Sequence, residues 1–236
     1  MGFEGRVALV TGGTGALGQA VVPALAAAGA TVVVPYRDPD AFAAQQVALG
    51  DLGGRVLGRQ ADVTDEGEVA RLVEVVLAEQ GRIDFLLNLV GGYAGGRFLD
   101  TDVGLWDRML RLNFRSTLLC TRAVLPHLVA RGSGRVVTMG ARSALEPSAG
   151  SDAYAAAKAA VVSMTQSLGR ELRATGVTIN CVAPSTIDTE ANRRMMPKAD
   201  PSRWVKPADI AALIAYLCSE AGAAVNGAVI PIYGQA

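Results

Sequence analysis

Histidine occurs once in this chain, at His127, and cysteine three times, at Cys120, Cys181 and Cys218. The three thiols are far apart, odd in number and set in apolar runs. They imply no disulfide framework, and a reducing cytoplasm suits them. His127 follows Pro126 in a helix-like run with no serine or acidic partner at a telling spacing, so hydrolytic triads and metal centres are set aside. Charge of one sign is missing too: 22 Lys and Arg balance 22 Asp and Glu. A nucleic-acid partner needs a basic surplus and is not expected. No charge-free apolar run reaches the ~18 residues of a membrane span, and the first residues lack a signal-peptide layout. Aromatic residues make up only 5% of the chain. Abundant alanine and glycine suit close packing of helices on a sheet.

What is present is an alternation. Short β-branched runs (Val7–Val10, Thr31–Val34, Arg55–Arg59, Ile83–Leu87, Arg135–Met139, Val177–Val182, Ala228–Ile232) trade places with helical patterns. The helical patterns are Ala16–Ala28, Ala41–Leu49, Glu66–Glu79, Leu105–Ala130, Ala153–Ala174 and Pro207–Ser219, several of them closed by glycine. Strands apolar throughout are buried on both faces. The expectation is a doubly wound α/β Rossmann fold of about seven parallel strands with helices on both faces, forming one domain over residues 1–236. The segment from Ser185 to Lys206 is the longest without periodicity. Loops of that length are often functional.

Two stretches carry chemistry. Thr11-Gly12-Gly13-Thr14-Gly15-Ala16-Leu17-Gly18 follows the first strand and opens the first helix. Glycine there permits the turn and lets backbone N–H groups approach a pyrophosphate. The second strand ends at Tyr36-Arg37-Asp38. An acid at this end favours NAD, and a cation accepts the 2′-phosphate of NADP. Arg37 favours NADP(H), with NAD(H) the alternative should Asp38 turn inward. The second stretch is Tyr154-Ala155-Ala156-Ala157-Lys158, whose ends share one helix face. A free phenol titrates near 10, and a neighbouring ammonium lowers that value, which fits the pair for proton transfer.

With these motifs in order, the chain resembles the short-chain dehydrogenase/reductase family over nearly its whole length. The glycine turn, Asp62-Val63, Asn88-Leu89-Val90-Gly91, Asn113, Tyr154-x-x-x-Lys158, Pro184 and Thr189 carry the resemblance. It implies that Gly12, Gly13, Thr14, Gly15, Leu17, Gly18, Arg37, Asp62, Val63, Asn88, Pro184, Ile187 and Thr189 bind the dinucleotide, together with Tyr154 and Lys158. It implies that Tyr154 donates the proton during reduction of a small carbonyl or quinonoid substrate. Lys158 would hold the nicotinamide ribose and lower the phenol, and Asn113 would hold a water leading to Lys158. It also implies a homotetramer or homodimer through the two long helices, and no membrane partner.

Three departures stand out. Ala16 replaces a glycine of the turn, and Leu89 replaces an asparagine. Ala141 stands thirteen residues before Tyr154, where the family carries a serine. Ser143, two residues on, is ~6–7 Å away along extended chain, too far for a direct exchange. The loss narrows the resemblance toward dihydropteridine reductases, as do Gly91–Gly96, Gly140–Leu145 and stretches after the sixth strand. On the substrate side stand Tyr93, Ala141, Ser143 and Trp204, with residues 185–206 as a cover that excludes water. A non-catalytic dinucleotide-binding regulator is the alternative of another class.

Overall fold

The computed structural model describes residues 2–235. Seven parallel strands form one sheet in the order β3-β2-β1-β4-β5-β6-β7. They are β1 (Val7–Thr11), β2 (Thr31–Tyr36), β3 (Val56–Gln60), β4 (Phe85–Asn88), β5 (Gly134–Met139), β6 (Val177–Pro184) and β7 (Val229–Ile232). The helices are α1 (Gly18–Ala27), α2 (Pro39–Leu49), α3 (Glu66–Gln80), α4 (Val103–Leu110), α5 (Ser116–Arg131), α6 (Arg142–Leu145), α7 (Asp152–Glu171), α8 (Glu190–Met195) and α9 (Pro207–Cys218). Among the described residues no helix is long and apolar enough to cross a membrane.

Side chains on a strand point alternately to the two faces, and the core divides accordingly. Ala8, Val10, Val32, Val34, Phe85 and Leu87 join Val21, Leu25, Ile210 and Ile214 of α1 and α9. Val7, Leu9, Val33 and Leu86 join Val69, Val76, Leu119 and Leu128 of α3 and α5. The all-apolar strands thus feed two cores, one per face, which is why no strand reads as apolar-in, polar-out. The chain reverses its direction of travel across the sheet between β3 and β4. Consequently the carboxyl ends of β1 and β4 lie side by side, with Thr11 opposite Asn88, and the loops that follow them diverge. In open parallel sheets such a divergence opens a crevice for ligands.

At the opposite end of the strands Asp84, 1% exposed, fastens their amino ends. Its carboxylate accepts hydrogen bonds from Arg6 (3.0 Å), Arg82 (2.6 and 2.8 Å), Arg131 (2.7 Å) and the Val7 N–H (2.9 Å). Burial alone would raise this carboxyl. The Arg82, Val7 and Arg6 hydrogen bonds and the Arg131 charge outweigh it and hold the group below the usual carboxylate range.

Two elements differ from the sequence expectation. The single helix expected from Leu105 to Ala130 is interrupted by a π turn at Arg111–Arg115, where the Ser116 N–H reaches back five residues to the Arg111 carbonyl. Asn113 explains it: its Nδ2 occupies the Met109 carbonyl at 3.1 Å, an acceptor the regular helix would need for itself. The aperiodic segment 185–206 contains α8 and a short 3₁₀ turn at Pro201–Arg203. Thr189 and Asp200 cap them, so both are stabilised locally and carry no amphipathic period.

Candidate active site

The glycine turn folds tightly between β1 and α1. Gly12 has φ +69°, and a Cβ there would lie 2.8 Å from the Val90 nitrogen. Gly18 is tighter still, with its Cβ position 2.1 Å from the Gly13 carbonyl oxygen. Ala16, by contrast, is exposed, so its methyl group meets no such wall. Above the turn lies a cleft of about 270 Å³, walled by Gly12, Thr14, Gly15, Tyr36, Arg37 and Asp62, with Val63, Val90, Gly91 and Leu112 also lining it. Its bare-backbone floor beside a helix start and its cationic wall at Arg37 fit a dinucleotide.

Each wall has a local reason for its position. Asp38 does not turn inward: it caps α2, accepting from the Asp40 N–H at 3.0 Å, and leaves Arg37 as the charge at the cleft. Tyr36 is stacked on Phe42 at 4.9 Å. Asp62 accepts from the Thr64 N–H (2.9 Å) and hydroxyl (2.8 Å), and Arg111 donates to that hydroxyl at 3.2 Å. Burial pushes the Asp62 carboxyl up, while the Thr64 hydrogen bonds and the Arg37 and Arg111 charges bring it down further, leaving it below its ordinary value.

Lys158 stands beside the Gly91 end of this cleft, with Tyr154 on the same helix. Gly91 joins the two parts: a Cβ there would lie 2.8 Å from Asn113 Oδ1 and 3.2 Å from Lys158 Nζ. Asn113 is fully buried and grips the next residue, accepting from the Gly92 N–H (3.1 Å) and donating to its carbonyl (3.0 Å). Lys158 is 3% exposed, and its Nζ donates to the Met139 carbonyl at 2.9 Å, off the end of β5. The ammonium stands 5.8 Å from the Tyr154 ring. Desolvation lowers Lys158 to about 8, partly offset by the nearby Cys181 thiol. Tyr154 departs from the expected depression: burial, then the neighbouring Tyr93 phenol, push it up to about 12. Burial wins because an ammonium that is itself desolvated and committed to a carbonyl does little for a phenol across the ring.

The remaining expected positions divide. Ala141 is 6% exposed at the end of β5. The Ser143 hydroxyl is buried in α6 with no hydrogen-bond partner among the described residues. Asn88, buried at the end of β4, donates to Thr121 of α5 at 3.2 Å. Leu89 packs against the core, so its exchange alters packing. Gly13, Leu17 and Gly18 shape the turn from beneath. Pro184 pairs with Ile232, Ile187 pairs with Val205, and Thr189 caps α8. Trp204 is 7% exposed at the root of the covering segment. Two arginines of that segment are paired within it, Arg193 with Asp188 and Arg194 with Glu190, while Arg203 donates to the Gln235 carbonyl. His127 is exposed on α5.

Sequence reasoning missed Gln45, Thr64 and Arg111. Gln45 is 1% exposed on α2, and its Nε2 donates to the Gly13 carbonyl at 2.7 Å, bracing the turn from below. A lone glutamine in a helical pattern gives no signal for this. Thr64 was legible, since Asp-x-Thr is a local turn pattern.

The comparisons now decide the family. The model of the short chain dehydrogenase family matches residues 6–200. The chain is a short-chain dehydrogenase/reductase. It is 34% identical to the (2S)-[(R)-hydroxy(phenyl)methyl]succinyl-CoA dehydrogenase subunit BbsD of Thauera aromatica, over 99% of this chain and 97% of that one. It is 34% identical to cis-4-hydroxycyclohexanecarboxylate dehydrogenase of Sinomonas cyclohexanicum, over 98% and 96%. A solved short-chain type dehydrogenase/reductase from Mycobacterium ulcerans superimposes with a TM-score of 0.93 at 30% identity, covering all of this chain and 90% of the other. As a member of this family the short-chain dehydrogenase/reductase described here is an oxidoreductase enzyme that binds NAD(P).

The buried ammonium has a measurable signature. Between pH 8 and 10.5 the unfolded chain holds a proton on Lys158 that the folded chain has released, so folding gains stability as pH rises through that window. Lys158→Met should therefore be at least as stable as wild type at pH 7, by up to about 3 kcal/mol. The gap should close on approach to pH 10. Urea denaturation at pH 7, 8.5 and 10 reads this directly. A variant less stable at pH 7, or a gap indifferent to pH, would contradict the account.

Proposed function

We propose that this enzyme transfers hydride between NADP(H) and a small ketone or quinonoid compound, with Tyr154 Oη as the proton donor in reduction. One juxtaposition carries the reading: Gly91 lines the same cleft as Gly12 and Gly15 while its Cα faces Lys158 Nζ and Asn113 Oδ1. A dinucleotide lying in that cleft has its phosphates at Gly12, Thr14 and Gly15 and its adenine side at Asp62 and Val63. The reactive end then comes to the lysine and tyrosine.

When bound, the nicotinamide supplies or accepts the hydride. The chain's own groups do the rest. Arg37 meets a 2′-phosphate through paired N–H donors. Lys158 hydrogen-bonds the ribose. Pro184, Ile187 and Thr189 would border the nicotinamide side, and Asn113 fixes the Gly91–Gly92 loop beside Lys158. Tyr154, with its pKa raised, keeps its proton at neutral pH and acts as an acid. The names of the relatives include two hydroxy compounds, each bearing an acyl thioester or carboxylate. From them we take only the class of secondary alcohols and their ketones. The methyl side chain at Ala141 favours readily reduced acceptors, and a quinonoid dihydropterin belongs in the same assay.

An apolar groove lined by Leu118, Leu125, Val129, Met164 and Leu168 runs between α5 and α7. We assign it to a second copy of the chain, giving a homodimer or homotetramer.

Three measurements test these statements. Tyr154→Phe should lower kcat for ketone reduction by about 10²–10⁴-fold and leave the cofactor Kd within about threefold of wild type. Equal turnover by the two proteins would end the role given to Tyr154. Arg37→Leu should weaken NADPH binding by about 10–100-fold and leave NADH binding unchanged. Parallel loss of both cofactors, or of neither, would remove the 2′-phosphate assignment. Light scattering at micromolar concentration should give a dimer or tetramer, and a monomer would rule out the assembly.

A further inference from the structure

Ala141 leaves the substrate side without a hydroxyl off β5, and the Ser143 hydroxyl is buried. A second phenol is nevertheless present. The Tyr93 ring meets the Tyr154 ring edge to face, with centroids 5.2 Å apart and planes at 76°. Tyr93 is 53% exposed, yet its backbone is fixed on both sides. Asn113 grips Gly92 through two hydrogen bonds, and the Gly96 N–H donates to the Gly150 carbonyl at 3.0 Å. Its hydroxyl folds over Gly95, where a Cβ would come within 2.7 Å of the Tyr93 oxygen and 2.2 Å of the Gly150 oxygen. Only glycine allows both approaches. The Tyr93 hydroxyl makes no hydrogen bond among the described residues. It is an unspent donor, held in place and open to solvent, beside the tyrosine that carries the proton.

We propose that Tyr93 is a second catalytic hydroxyl, donating a hydrogen bond to the substrate carbonyl oxygen in place of the one absent at Ala141. The proposal rests on the reading in which Tyr154 transfers the proton. The carbonyl carbon receives the hydride, its oxygen receives the Tyr154 proton, and Tyr93 keeps its own proton throughout. A substrate oxygen that met both phenol donors would sit in a small oxyanion site, whose hydrogen bonds strengthen as negative charge develops there. The proximity has an electrostatic trace: after burial, Tyr93 is the second cause of the raised Tyr154 pKa. The donor comes from the loop after β4, a different direction from β5. The site would therefore take carbonyls reached from the Gly91–Gly96 side.

Tyr93→Phe keeps the ring and its edge contact and removes only the hydroxyl. It should lower kcat about 10–100-fold on a panel of cyclic and aryl ketones and a quinonoid dihydropterin, with KM within about threefold. Adding Ala141→Ser to Tyr93→Phe should restore kcat to within about threefold of wild type. In the cofactor-free protein, phenolate absorbance should show Tyr154 titrating at lower pH in Tyr93→Phe than in wild type. Wild-type kcat in Tyr93→Phe beside an inactive Tyr154→Phe overturns the role of Tyr93 and leaves the Tyr154 reading standing. A loss that Ala141→Ser does not rescue also overturns it, because the hydroxyl was then not replaceable. Activity kept in both Phe variants, or no turnover by the wild type, sinks the underlying reading and this proposal with it.

Discussion

Lys158 is a charged group placed where water does not reach, and the protein offers it one good acceptor, the carbonyl of Met139. An ammonium in such surroundings is tolerated only if its neighbours are fixed, because any retreat of that carbonyl leaves the charge bare. The end of β5 is therefore tied to α7. The β4 loop must pass so closely that Gly91 has no room for a side chain, and Asn113 fills the remaining space with its amide. The geometry of the site follows from housing that one cation. The depressed lysine and raised tyrosine are two sides of the same dehydration.

Much of this was legible in the sequence, for identifiable reasons. The doubly wound sheet follows from apolar strands alternating with glycine-closed helices, because both signals are local. Tyr154 and Lys158 share a helix face by spacing alone. The sign of the tyrosine shift was not legible, since it depends on how much solvent each group loses and on Tyr93, which lies 61 residues earlier in the chain. The π turn at Arg111–Arg115 escaped because its cause is a side-chain amide competing for a backbone acceptor. Asn88 and Ser143 carry plausible polar groups at plausible positions, yet both turn into the packed interior, and no pattern in sequence distinguishes inward from outward there.

The site also has a division of labour between rigid and locally held parts. The glycine turn is braced from beneath by Gln45, and the Asp62 wall of the cleft by the chain Arg111–Thr64–Asp62. Both braces arise from helices, so the cleft's shape is inherited from the packed core. Segment 185–206 is different. Its ion pairs, Asp188 with Arg193 and Glu190 with Arg194, are exposed and internal to the segment. Surface pairs of this kind contribute little, so α8 is held by its caps and its two roots.

Those roots are gripped by the chain's last described residues. Ser185 donates to the Tyr233 carbonyl, Arg203 donates twice to the Gln235 carbonyl, and the Gln235 N–H returns a bond to Arg203. Gly234, at φ +62°, passes so near the Arg203 oxygen that no other residue would lie flat there. The tail beyond β7 thus acts as a buckle across both ends of segment 185–206. Affinity handles, fusions or trimming at that terminus would tug on segment 185–206, whereas the same additions at the amino terminus, near Arg6 and the amino ends of the strands, would leave it undisturbed.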